Sequence, residues 1–414
     1  VGRSALKLCL IFTAAPILAW TQAAAPHTPS ARQSDDCKIY QVTSLPGSHQ
    51  FGSDFIEALV SDPAASDLSP APAASNLVWA LTADLSTDIP LYNRALYISK
   101  STNRGESWTP VVRLDSKYLD ADIGEGLRNG LGISSHGSEF IVTSQRGAFQ
   151  VIPRPHTLVP LVNQIDGPLI TQQDARVAAQ KREGDPIRAS VVEMTADESR
   201  LFIAYGYFDR DPQIFSYHKA GGAWIADGAL PHLPSSMDIF SMQFDDPKKL
   251  NPHSLYVGTG DQAYRLDLNT KEWTRISGVG PDSAIHGITT IGGLHLAACW
   301  SVYNPVGEDV VKRAIGKFFY HRAEDEISPD VRAYSVDVDP VRTNRLVVTS
   351  LTGVYVSKDS GQTWLRFNDL PDGEFHSAHF NPDGTVIVSG FVGTFLTNPF
   401  SEACSPHLRT RVAH

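Results

Sequence analysis

The stretch that decides the fold runs Val354-Tyr-Val-Ser-Lys-Asp-Ser-Gly-Gln-Thr-Trp364. A short β-rich run ends in Ser357-x-Asp359-x-Gly361-x-Thr363-Trp364. Asp359 can accept hydrogen bonds from the N–H groups of its own turn. Gly361 supplies a backbone conformation that other residues resist. Trp364 then buries a large ring beside the hairpin. A looser copy reads Ser101-Thr-Asn-Arg-Gly-Glu-Ser-Trp108, preceded by Ala95-Leu-Tyr-Ile98. Asn103 stands where Asp359 does and can still cap a turn, and Ser107 replaces Thr363.

This phrase resembles the Asp-box, or BNR, repeat of sialidase-like β-propellers. The resemblance implies an all-β propeller of the WD40/YVTN/BNR-like kind, with the boxes on hairpins away from the functional face. Ser101, Asn103, Gly105 and Trp108 in one copy, and Ser357, Asp359, Gly361 and Trp364 in the other, are therefore expected to be architecture rather than chemistry.

With these strands as a ruler, one phrase returns along the chain: an apolar strand, a turn or loop, then a second strand. The pairs are Leu77–Leu81 with Ala95–Ser99, Phe140–Ser144 with Gly147–Val151, and Leu201–Tyr205 with Gln213–Tyr217. Leu255–Thr259 with Ala263–Asp267 and Leu294–Ala298 with Gly316–Tyr320 follow. The last are Leu346–Ser350 with Gly353–Ser357 and Val386–Gly390 with Gly393–Thr397. This predicts a seven-bladed β-propeller over residues 37–404, with a six-bladed ring as the alternative. A β-sandwich does not explain the recurrence. Gln173–Arg182 is the one stretch read as a helix. The last unit runs out of chain before its outer strand, and Lys38–Thr43 has strand composition and no partner. It is expected to close the ring. That pairing would bring Cys37 near Cys404, and a disulfide between them is expected.

Residues 1–25 read as a secretory signal peptide: Arg3 and Lys7, an apolar run from Leu8 to Trp20, then Ala23–Ala25. Residues 26–36 read as a flexible linker, and 405–414 as a C-terminal tail. Localisation is expected to be extracellular or periplasmic and bacterial, with no membrane span after cleavage. The net charge of −10 argues against binding nucleic acid through phosphates. No metal or cofactor motif is found, and a monomer with no cofactor is expected.

Function is expected on one face, at the mouth of the central channel. Asp-Pro and Asn-Pro turns at Asp62, Asp246, Asp339 and Asn381 mark the ends of the innermost strands. Alignment on them places Asp54, Arg128, Arg188, Asp238, Asp282, Arg332 and Glu374 at the mouth, with His286 as an alternative to Asp282. Tyr334 and His376 fall nearby. Three insertions should decorate the same face: 82–94 with Tyr92 and Arg94, 205–213 with Tyr207, Phe208 and Arg210, and 299–313 with Trp300 and Tyr303. Aromatic loops on a rigid scaffold suit binding, so the expected ligand is a glycan or a protein segment. The alternative is a sialidase-like glycoside hydrolase. That resemblance implies Arg128, Arg188 and Arg332 gripping a carboxylate, with catalytic candidates Asp54, Asp238, Asp282 and Glu374. Against it, the Phe/Tyr-Arg-Ile-Pro motif of such enzymes is missing; Val151-Ile-Pro-Arg-Pro155 has the letters out of order.

Overall fold

The computed structural model describes residues 39–42, 54–61, 76–84, 95–115, 118, 130–134, 137–171, 183–207, 210–246, 251–277, 279, 284–291, 293–298, 301–306, 309–313, 333–367, 369–400 and 408–409. The chain divides into Val1–Asp35 and Asp36–His414, and all described residues belong to the second unit.

The described strands form seven antiparallel sheets in a β-propeller arrangement. Sheets 1 to 7 begin with the inner strands Asp54–Ser61, Leu131–Ile133, Ala189–Met194, Ile239–Phe244, Ile285–Thr289, Ala333–Val338 and Phe375–Phe380. In sheets 1 to 6 the next three strands follow in chain order. In sheet 7 the outer place is taken from the other end of the chain: Tyr40 pairs with Leu396, and the Val42 N–H donates to the Thr394 carbonyl at 2.9 Å. Each inner strand lies against that of the next sheet, and that of sheet 7 against that of sheet 1.

Sheets of this kind are apolar on both faces because both are covered. Phe140–Ser144, Leu346–Ser350 and Val386–Gly390 are buried throughout. The seams are filled by tryptophans that follow the third strand of a sheet and pack on the preceding one. Trp108 meets Ile387 and Leu396 of sheet 7, Trp224 meets Ile141 and Ala148 of sheet 2, and Trp364 meets Ala297 of sheet 5.

The two quoted turns have the same geometry. Ser357 Oγ donates to Asp359 Oδ1 at 2.8 Å and accepts the Gly361 N–H at 2.7 Å. Asp359 also takes the N–H and hydroxyl of Thr363, at 2.8 and 2.6 Å. In the first turn Ser101 Oγ accepts the Gly105 N–H at 2.7 Å, and Asn103 Oδ1 accepts the Ser107 N–H at 3.0 Å. An amide oxygen thus replaces the carboxylate. Gly105 has φ +95°, and a Cβ there would lie 2.6 Å from Ile387 Cδ1; conformation and space both demand glycine.

A second device links neighbouring sheets. The fifth residue of an inner strand accepts a backbone N–H at or just past the end of the next inner strand. Glu193 takes that of Phe244, Gln243 Oε1 that of Thr290 at 2.9 Å, and Asp337 Oδ2 that of Phe380 at 2.7 Å. Burial pushes the Glu193 carboxyl up to about 8 and that of Asp337 to about 7. His379, the fifth residue in sheet 7, has Nδ1 3.6 Å from Asp337 Oδ2, and burial pushes it down to about 4.

Four expectations need correction. Residues 299–313 are not a loop: Ser301–Val306 and Asp309–Arg313 are the third and fourth strands of sheet 5, and Tyr303 pairs with Leu296. Their valines favour strand, and Val306 pairs with Asp309. Residues 205–207 and 210–213 belong to the second and third strands of sheet 3, with Tyr207 paired to Arg210. The span 405–414 is not only a tail, because Leu408–Arg409 adds a fifth strand to sheet 6 beside Leu365–Phe367. The third strand beside His295–Ala298 is Ser301–Val306 and not the expected Gly316–Tyr320, which, like Gln173–Arg182, Cys37, Cys404 and residues 1–36, lies outside the described residues.

Candidate functional site

The site is built at the start of the inner strands. In six of the seven, the pairing with the second strand slips by one residue near the start: between Ile56 and Ala58, Ala189 and Val191, and Ile239 and Ser241. The other slips fall between Ile285 and Gly287, Ala333 and Ser335, and Phe375 and Ser377. Such a bulge leaves one residue unpaired and re-aims its side chain. Among the described side chains, the residues so placed are Ser190, Phe240, His286, Tyr334 and His376.

Four of these put aromatic or imidazole rings on consecutive sheets, and the rings touch. Phe240 and His286 have centroids 4.9 Å apart. His286 and Tyr334 are 5.8 Å apart. Tyr334 and His376 stack at 4.3 Å with 16° between their planes. Phe391, in the turn between the second and third strands of sheet 7, meets His376 edge-on at 5.1 Å. The result is an arc from sheet 4 to sheet 7. Phe391 is 49% exposed at one end, and Met237 is 48% exposed beside Phe240 at the other. A Cβ on Gly260 would lie 3.1 Å from Met237 Cβ and 3.5 Å from Phe240 Cε2.

The charged column resolves into two registers. Arg188, Asp238 and Glu374 stand immediately before their inner strands. Glu374 Oε1 lies 2.7 Å from His376 Nε2, so an acid supports the most buried ring of the arc. Arg188 is only 5% exposed. Asp54 is one residue out of line: the slip between Ile56 and Ala58 makes Phe55 the counterpart of Glu374. In sheet 5 the slip makes Ala284 the counterpart of Glu374. His286 stands in the ring column instead. Arg128, Asp282, Arg332, Tyr92, Arg94, Phe208 and Trp300 lie outside the described residues. Tyr207 and Arg210 end the second strand and begin the third in sheet 3.

Sequence reasoning missed Phe240, Met237 and Phe391. The available signal was the triplet charge–apolar–ring: Asp238-Ile-Phe240, Arg332-Ala-Tyr334 and Glu374-Phe-His376. The arc offers π faces and edges, flanked by carboxylates, for contact with a ligand. Among the described residues no group of three or more His, Cys, Asp and Glu side chains could hold a metal. Nor is any described helix long and apolar enough to cross a membrane.

No family model matches the chain, and no curated protein is similar to it in sequence. Solved structures are similar in fold. YCF48 bound to D1 peptide aligns with a TM-score of 0.50 and 13% identity, over 90% of this chain and 99% of that one. The extracellular domain of BT4673 from B. thetaiotaomicron aligns with a TM-score of 0.50 and 9% identity, over 87% of this chain and 40% of that one. A second structure of that domain gives 10% identity and 39% coverage of its chain. This chain therefore spans about two fifths of the BT4673 chains. At such identities the likeness is one of fold, and with the succession of inner strands it identifies the chain as a β-propeller.

Proposed function

We propose that this chain is a secreted binding module that holds an extended protein segment across the arc of Phe240, His286, Tyr334, His376 and Phe391. The observation that carries this reading is the unbroken contact of five rings on four consecutive sheets. A row of rings on rigid strands presents contact area at low entropic cost. The peptide-bound state of YCF48 is consistent with a propeller used in this way. Asp238 and Glu374 stand on sheets 4 and 7, and in this reading they frame the arc rather than share a reacting bond. Asp238 and Glu374 as catalytic groups, with Arg188 on a substrate, are the hydrolase alternative.

The test is parallel screening of the purified protein on peptide and glycan arrays. Tyr334→Ala and Phe391→Ala should each weaken peptide binding by about tenfold or more, the usual loss at a buried aromatic anchor. A protein that binds glycans and no peptide, or variants that bind peptides as the parent does, would remove the reading.

The same reading takes the seven sheets as seven blades of one closed ring and the two quoted turns as Asp boxes. It keeps residues 1–25 as a signal peptide, the mature chain as a monomer without cofactor, and Cys37–Cys404 as the bridge across the closure. Such a bridge would span nearly the whole chain and contribute up to about 5 kcal/mol in the loop-entropy account. Non-reducing peptide mapping should recover the two cysteines in one species that splits on reduction. Their recovery as separate peptides, or either one bridged to Cys299, would remove the bridge.

A further inference from the structure

We infer that the arc is selective for a basic side chain, Lys or Arg, seated between the Asp238 carboxylate and the ring of Phe240. This rests on the binding reading above and specifies its ligand.

Among the described side chains that stand just before the inner strands, Asp238 and Glu374 are partly exposed and Arg188 is buried. The Asp238 carboxylate has no hydrogen-bond or ion-pair partner among the described residues. Glu374 is 23% exposed and faces His376. Arg188 is buried and already engaged within the protein. A carboxylate ligand would meet like charge here, whereas a cation would find the partner that Asp238 lacks. Gly206 makes room for this carboxylate, since a Cβ there would lie 2.8 Å from Asp238 Oδ1.

The neighbouring groups suit the same ligand. Phe240 follows Asp238 by two residues, and the bulge leaves it without a partner on the second strand. A cation within about 6 Å of such a ring face is attracted by the ring's quadrupole. Lys and Arg also carry apolar stems that lie along hydrophobic surface while the charged head stays with its partner. Met237, 48% exposed beside Phe240, offers that surface. The formal charge of −10 draws a cationic segment toward the protein at longer range.

The experiment uses the mature protein and an array of short synthetic peptides in matched sets. In each set every Lys is replaced by norleucine and every Arg by citrulline, which keeps length and removes charge. Wild-type protein should prefer the basic member by about tenfold in Kd, a difference of roughly 1.4 kcal/mol. Asp238→Asn should bring that ratio close to one by weakening binding of the basic member. Thermal melting of the variant controls for folding. If bound peptides show no enrichment of Lys or Arg, or if Asp238→Asn keeps the preference, the cation seat is wrong. The arc reading then still stands, provided Tyr334→Ala and Phe391→Ala lose binding. If the wild-type protein binds no peptide in either form, both readings fall together.

Discussion

Glu193→Gln is expected to leave stability unchanged near pH 4.5 and to raise it at pH 8.5 by on the order of 3 kcal/mol. The Glu193 carboxyl is pushed up from 4.5 to about 8 by burial. Its folded-state pKa therefore lies above its unfolded value. Below about pH 4.5 the group is protonated in both states and adds no pH dependence. Between 4.5 and 8 the folded protein holds a proton that the unfolded chain has released, so stability falls as pH rises through that window. Above 8 the folded state carries a desolvated charge, and the loss is complete.

Glutamine removes the proton and keeps the hydrogen bond. The protein itself supplies the precedent, since Gln243 fills the same place in sheet 4 and accepts the Thr290 N–H at 2.9 Å. Urea unfolding of both proteins at pH 5 and pH 8.5 reads the effect. Parallel stability profiles for wild type and variant would show that the carboxyl is not held this way. Asp337 should act in the same sense over 3.8 to about 7. Its neighbour His379 opposes it: a His pushed down to about 4 loses stability as pH falls from 6.5 toward 4. The Glu193 variant is therefore the cleaner measurement.

Trp108→Ala is expected to cost about 3–5 kcal/mol, the usual range for a buried Trp truncated in a packed core. Trp108 is 5% exposed, and it shares its cluster with Val42, Val78, Ala80, Ile387 and Leu396. Those residues come from sheets 1 and 7 and from the segment following the N-terminal strand. The ring thus joins the two ends of the chain as well as two sheets. Its indole N–H donates to the Gly105 carbonyl at 3.0 Å, so the loss reaches the turn too. Hydrogen exchange should rise most in Ile39–Gln41 and Val386–Gly390, and least in sheets 3 and 4. A cost below about 1 kcal/mol, or exchange that rises evenly around the molecule, would mean that this seam does not depend on Trp108.

Much of this was legible because it is local. The Ser357–Trp364 turn is specified within eight residues. Its hydrogen bonds run between residues two to four apart, and its looser copy at Ser101–Trp108 repeats them with Asn103. Strand composition and spacing did the rest, since a sheet covered on both faces must be apolar on both. The closing strand was also readable, because an incomplete last sheet and an unassigned N-terminal strand leave one economical pairing.

Sheet 5 was misread at 299–313 for a reason of the same kind. Two polar-interrupted strands look like a loop until Val302 and Arg313 are seen to pair. What only the tertiary structure decided is the site. Charges were visible as a column, but a one-residue slip at the start of six of the seven inner strands separates them from the rings and puts Asp54 out of line. Bulges arise from pairing with the neighbouring strand and leave no dependable mark on composition. The contact of Phe240, His286, Tyr334, His376 and Phe391 joins residues up to 151 positions apart (391 − 240). It exists because successive inner strands are set side by side. That adjacency belongs to the ring of sheets and not to any stretch of chain.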